Sequence, residues 1–292
     1  MENLTNKLKA QSGKKFSLKD HDPAFTAGYK KDDAALLLND LIIETTKLQS
    51  QLYAANSHSL LIIFQAMDAA GKDSAIAHTM TGLNPQGCQV YSFKQPSTED
   101  YDHDFLWRHY KALPERGRIG IHNRSHYENV LIAKVHPEFV LKERIPGINS
   151  VKDIGPEFWE QRYKSIRNFE QHLQQSGTVI IKFFLNLSKQ EQKERFLKRI
   201  DDPDKNWKFQ TSDILERQRW GDYMKAYETA IAETSTDENP WYIIPADKKW
   251  FTRIGISTIV LDTLKKIKPE YPVLPKEEME GLTNAKKKLE KE

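Results

Sequence analysis

One cysteine, Cys88, occurs in 292 residues. This excludes an intrachain disulfide and a cysteine-built metal cage, and it points to a reducing compartment, the cytoplasm. Long apolar runs are also missing. The longest, LLIIF at 60–64, is far too short to cross a bilayer. The opening MENLTNKLKAQSGKKFSLKD carries no apolar stretch, so it does not read as a secretory signal. Nor is there much excess charge: 44 basic against 41 acidic residues leave a formal +3. That balance suits an acidic ligand but falls short of a dedicated nucleic-acid binder. The expectation is a chain that engages neither nucleic acid nor membrane.

What is present fits a globular enzyme-sized unit. At 38% hydrophobic residues the chain can build a core, and its length allows one large α/β domain or two small ones. Five short apolar runs stand out: SLLIIFQ (59–65), QVYSF (89–93), RIGIH (118–122), TVIIKFFLN (178–186) and WYIIPA (241–246). Helical periodicity appears between them, near 72–82, 100–112, 156–175, 188–200 and 212–235, with a last helix near 250–267. Continuous apolar strands alternating with helices predict a parallel sheet covered on both faces. Leu37, Leu41, Leu48 and Leu52 predict a further helix over 32–56. Residues 1–32 read as a polar, extended arm. Residues 268–292, rich in proline and charge, read as a docking strap or a mobile end. No internal repeat or long linker interrupts the chain, so one domain over 1–292 is expected.

The stretch AMDAAGKDS (66–74) resembles a phosphate-binding loop, G-x-x-x-x-G-K-[ST], with two letters changed. Ala66 replaces the first glycine and Asp73 replaces the hydroxyl, while Gly71-Lys72 is intact. Its position supports the match. A strand ends just before it and a helix begins just after, so free helix amides face the loop. Gly71 lets backbone amides approach an oxyanion, and Lys72 neutralises it. A carboxylate beside such a cradle is repulsive unless a cation lies between them. Asp68 therefore reads as a Mg²⁺ ligand. For Asp73, metal contact and helix capping both remain open.

Two more clusters carry charge. After the third strand comes Asn123-Arg124-Ser125-His126-Tyr127-Glu128, where a P-loop kinase would place a metal-binding Asp. Arg124 suits bidentate phosphate binding, and Glu128 could supply the missing charge. His122 and His126 are four apart, but nothing completes a zinc site, so structural histidines are the simpler reading. Arg195, Lys198 and Arg199 share a helical face, followed by a turn carrying Lys205 and Lys208. This is what a lid over phosphates would look like, although spacing alone equally allows a solvated charged face.

Several stretches in order, MDAAGKD (67–73), FKQPS (93–97), HDFLWR (103–108), GRIGIHNRSHYENVL (117–131), VHPEF (135–139) and DPDKNWKFQTSD (202–213), resemble the polyphosphate kinase 2 family. The resemblance runs from about Asp20 to the last predicted helix. It implies a thymidylate-kinase-like P-loop fold with three layers, a five-stranded parallel sheet and a helical lid over 188–225. It also implies reversible, Mg²⁺-dependent phosphoryl transfer between inorganic polyphosphate and nucleotides, by a homo-oligomer. MDAAGKD with Asn-Arg-Ser-His-Tyr-Glu looks like class III, whose members phosphorylate nucleoside mono- and diphosphates, here AMP and ADP, with guanine nucleotides as further candidates.

Carried over residue by residue, Ala69, Ala70, Gly71 and Lys72 would cradle phosphate and Arg124 would hold the transferred group. Asn123 and Glu128 would shape the acceptor pocket, and Lys94 of FKQPS would join the phosphate- and nucleotide-binding set. Arg195, Arg199, Lys205 and Lys208 would reach in from the lid, with Asp213 joining Asp68 at the metal. Two positions depart from the family pattern: His122 stands for Phe and Ser74 for Gly. Two alternatives accompany this reading, an ATP-dependent nucleoside monophosphate kinase and a non-catalytic polyanion-binding protein.

Overall fold

The computed structural model describes residues 2–11 and 16–292. Five parallel strands form one sheet in the order β2-β3-β1-β4-β5. They are β1 (Ser59–Ala66), β2 (Cys88–Ser92), β3 (Ile119–Asn123), β4 (Thr178–Asn186) and β5 (Trp241–Pro245). All eight residues of β1 are buried. Its side chains alternate between faces: Leu60, Ile62 and Phe64 join one apolar cluster, Leu61 and Ile63 the other. That two-sided burial is why the strand reads as an unbroken apolar run. Ile62 stands opposite Ile121 of β3 and Ile181 of β4, which fixes the central register.

The helices, in chain order, are α1 (Glu2–Leu8), α2 (Ala34–Ala55), α3 (Lys72–Thr79), α4 (Thr98–Asp102), α5 (Trp107–Tyr110), α6 (Ile132–Val135), α7 (Pro156–Gln175), α8 (Lys189–Asp201), α9 (Ser212–Gln218), α10 (Trp220–Thr234), α11 (Lys249–Ile267) and α12 (Lys276–Leu289). Through Leu52, Ile76 and Ile259, helices α2, α3 and α11 cover one face of the sheet. Through Ile166 and Ala230, α7 and α10 cover the other. The result is a three-layer α/β sandwich. No described helix is long and apolar enough to cross a membrane.

Four expectations change. Residues 2–8 are helical rather than extended, and Leu4 and Leu8 are buried in the core. Lys9 then bridges Tyr242, and Ala10 N–H donates to Trp241 C=O at 2.8 Å, so this segment closes the β5 edge. Residues 1 and 12–15 of the expected arm lie outside the described residues. The helix expected over 100–112 is two short ones, because Asp104 Oδ1 accepts from Leu106 N–H and makes a local turn instead. The stretch 212–235 bends at Arg219 into α9 and α10. The tail forms α12, which buries no residue.

Candidate active site

The carboxyl ends of β1 and β3 meet at the middle of the sheet, the place where parallel α/β sheets bind ligands. β1 delivers the P-loop and α3 receives it, with Gly71 as its N-cap residue at φ 98°. That left-handed conformation suits glycine alone among unstrained choices. Ala69 shares the left-handed region at φ 62°, at a steric cost. Lys72 Nζ donates to Ala66 C=O at 2.8 Å, arching back over the loop. Burial, and next the neighbouring Arg124 charge, push the Lys72 ammonium down to about 8, against the opposing pull of Asp68, Glu128 and Asp73. The loop thus holds a desolvated cation among its own backbone groups.

Asp73 is tied sideways rather than to the helix end. Its Oδ1 accepts from Asn123 Nδ2 at 2.9 Å, joining the P-loop to the end of β3. Arg124 follows at φ 65°, its backbone N–H donating to Phe64 C=O at 3.1 Å. Its guanidinium sits between two acids, 3.3 Å from Asp68 and 3.8 Å from Glu128. Those charges, Glu128 foremost, raise its already high pKa. It is a fixed cation at the mouth of the loop.

Beneath Arg124 the chain is anchored in the core. Tyr127 Oη donates to Glu170 at 2.7 Å, and Lys182 Nζ bonds the same carboxylate at 2.6 Å. Thr234 and Trp241 complete this fully buried network. Burial alone would raise the Glu170 carboxyl, but Lys182 and His126 together hold it low. His109, His122 and His126 pack around Phe93 and Phe169. Burial pushes all three down, His122 to about 4, so they are neutral core residues. His122 bonds the Ala112 carbonyl at 3.0 Å.

Over the P-loop stand α8, the turn after it and α9. Arg199 pairs with Asp213 at 4.0 Å. Burial, and among charges Asp68, push the Asp213 carboxyl up. Asp68 lines the main cleft, whereas the Asp213 carboxylate is held at its edge by Arg199 and the Gln210 N–H. One or two carboxylates plus phosphate oxygens are the donor set Mg²⁺ takes, so Asp68 in the cleft fits that ion. Lys94, Arg199, Lys205 and Lys208 line a cleft of about 840 Å³ together with P-loop residues 67–74, Asn123 and Arg124. Lys94 is itself exposed, and its segment is held by Arg108, which donates to the Lys94 carbonyl at 2.9 Å. Glu128 does not line this cleft but braces Arg124 from behind.

Arg195 departs from expectation. It is buried and turned inward, and its guanidinium donates to the carbonyls of Ala69, Ala70, Ala246 and Asp247 and to Glu191. Its donors are committed to the protein, although the residue also lines a smaller cavity beside Ala69, Ala70 and Gly71. Sequence spacing also passed over several residues. Trp207, strongly exposed, lines the cleft with its indole N–H fixed on the Asp204 carbonyl. A second cavity of about 400 Å³ continues past Ala69, Ala70 and Gly71, lined by Lys198, Lys249 and Arg253. Lys249 and Arg253 come from α11, and nothing in their spacing relates them to α8.

Comparisons with known proteins agree with this geometry. Residues 28–272 match the family model described as Polyphosphate kinase 2. The ADP-polyphosphate phosphotransferase of Rhodopseudomonas palustris is 54% identical over 236 residues, 81% of each chain. The AMP/ADP-polyphosphate phosphotransferase of Meiothermus ruber is 41% identical over 268 residues, 91% of this chain and 95% of that one. The crystal structure of Polyphosphate Kinase 2 from Arthrobacter aurescens TC1 superposes with a TM-score of 0.85 at 38% identity, covering 96% of both chains.

Proposed function

The chain belongs to the polyphosphate kinase 2 family, and from that premise we propose that it transfers the terminal phosphoryl group of inorganic polyphosphate to ADP and AMP. The observation that carries this reading is the shape of the basic space. The main cleft and the second cavity share Ala69, Ala70, Gly71, Ser74, Arg199 and Lys205, so they form one cationic track across the P-loop. The track runs on past Gly71 to Lys198, Lys249 and Arg253. A phosphate chain would thread it.

Phosphoryl transfer depends mainly on positioning and charge stabilisation. The acceptor is a nucleotide phosphate oxygen, ionised at neutral pH, so no general base is required. It attacks the terminal phosphorus in line, and the bridging oxygen of the chain leaves. Lys72 and the loop amides hold the donor, while Arg124 meets the equatorial oxygens as charge spreads over them. Arg199, Lys205 and Lys208 cover the reacting group and exclude water. Asp68 and Asp213 would hold Mg²⁺, which when bound offsets phosphate charge. Asp73, held by Asn123, puts a carboxylate where an ATP-dependent kinase would offer its metal a hydroxyl.

The test is direct: purified protein, polyphosphate, Mg²⁺ and either ADP or AMP, with nucleotides separated by chromatography. ATP from ADP establishes the transfer, and ATP from AMP establishes both steps. Product from ADP alone removes AMP from the proposal, and no product from either overturns it. Asp68→Asn is expected to lower turnover by on the order of 10²–10³ in a folded protein.

A further inference from the structure

Three consecutive P-loop carbonyls accept hydrogen bonds from side chains of a single helix, α8. Gln192 Nε2 donates to Asp68 C=O at 2.9 Å. Arg195 Nη1 donates to Ala69 C=O at 3.2 Å and to Ala70 C=O at 2.9 Å. Both side chains are buried. In a trans peptide the carbonyl of one residue and the N–H of the next point in opposite directions, and no cis peptide occurs among the described residues. Carbonyls 68–70 turned toward α8 therefore turn the N–H groups of Ala69, Ala70 and Gly71 away from it. The Ala70 N–H is used inside the loop, on Met67 C=O at 3.3 Å. Those of Ala69 and Gly71 are directed away from α8, in residues that line the main cleft.

This arrangement opposes a local preference. Ala69 occupies the left-handed region, which costs a non-glycine residue about 1–2 kcal/mol and persists only where surroundings fix it. The Arg195 fork supplies that fixation. Its other arm donates to Ala246 and Asp247 after β5, and its Nε to Glu191, so it is anchored on two sides before it touches the loop. Gln192 is oriented as well. Its Oε1 accepts from Arg217 Nη1 of α9 at 2.7 Å, and the same nitrogen donates to Lys189 C=O. Helix α9, through Arg217 and Gln192, is thereby linked to the backbone of Asp68.

We infer that Gln192 and Arg195 are positioning residues for phosphoryl transfer: they hold the carbonyls of Asp68, Ala69 and Ala70 back so that the opposing amides face the donor phosphate. Arg217 fixes the Gln192 amide and so couples α9 to the cradle. The inference rests on the function proposed above, and it assigns the buried α8 residues to the loop rather than to substrate. A cradle with misdirected amides still binds charge but loses contacts made in the transition state, so the defect falls on kcat more than on KM.

Arg195→Lys tests it, because the variant keeps the charge but replaces a planar five-donor fork with a point donor. At saturating polyphosphate and ADP, kcat is expected to fall about tenfold or more, with both KM values within about threefold of wild type. In isotope-labelled protein, the shift of the Gly71 amide resonance on adding tripolyphosphate shrinks in the variant. Gln192→Met, which keeps side-chain length, moves both readouts the same way and serves if Arg195→Lys does not fold. Adding Arg217→Ala to Gln192→Met lowers kcat no further. A folded Arg195→Lys or Gln192→Met with wild-type kcat and an unchanged Gly71 response overturns the inference, as does a loss confined to melting temperature. If the wild-type protein transfers no phosphate, the functional reading falls, and the Gly71 response of wild type and variants to tripolyphosphate still decides this one.

Discussion

Replacing Lys72 with methionine is expected to raise stability while removing activity. Burial of the ammonium, and next the Arg124 charge, bring it from 10.5 to about 8. At 1.36 kcal/mol per unit, keeping it protonated costs the folded state about 3 kcal/mol at pH 7. Met keeps most of the aliphatic stem and no charge. The lost bond to the Ala66 carbonyl takes back about 1 kcal/mol, leaving a net gain of about 2 kcal/mol. For a chain of this length the unfolding entropy is roughly 0.6 kcal/mol per kelvin, so the melting temperature rises by about 3 °C.

The pH dependence follows from the depressed lysine. The unfolded chain holds this proton more tightly, so the cost is complete below about pH 8 and fades as pH rises toward 10.5. Wild type therefore gains on Lys72→Met across that window, and their melting temperatures converge. Differential scanning fluorimetry at pH 7, 9 and 10.5 reads the stability, and ATP formation from ADP reads activity, which falls by on the order of 10²–10³. A variant destabilised by more than about 1 kcal/mol at pH 7, or two parallel pH curves, would refute the reasoning.

Other perturbations separate core from site. Lys182→Met leaves the buried Glu170 charge without its lysine and should cost about 3–5 kcal/mol in urea unfolding, with the Lys182→Met, Glu170→Leu double variant recovering part of it. Trp207→Ala should raise the KM for nucleotide about tenfold with kcat nearly unchanged, as loss of a base-stacking surface worth about 1–3 kcal/mol predicts; indole fluorescence that ignores added nucleotide would contradict it. Deleting residues 276–292 should leave the melting temperature within about 1 °C, because α12 buries nothing.

The sheet was legible because its inner strands are buried on both faces and appear as apolar runs, while the edge strand β2, half-buried to exposed, showed only as the short run QVYSF; observed ends differ from the expected ones by a residue or so. Helix interiors were legible for the same reason, but their breaks were not. The turn at Asp104 and the bend at Arg219 interrupt stretches whose apolar spacing carries on through them. Helix α1 is too short to show a period, although Leu4 and Leu8, one turn apart, were its trace. At the site, the P-loop and the Asn123-Arg124 pair came from motif and position. Arg195 misled because it shares a turn of α8 with Arg199, and spacing cannot say which way a helix faces. Lys249 and Arg253 reach the track, and Gln192 the P-loop backbone, only through tertiary packing.

The three neutral histidines behind Arg124 set a floor on the working pH. In the unfolded chain each takes a proton near pH 6.5, whereas in the fold burial denies it, for His122 down to about 4. Their contribution to stability is complete above pH 6.5 and drains away as the medium acidifies. Mild acid therefore attacks this protein from inside the wall beside β3, while the phosphates outside are still largely charged. Acid inactivation would begin as a loss of structure around β3, ahead of any loss of substrate charge.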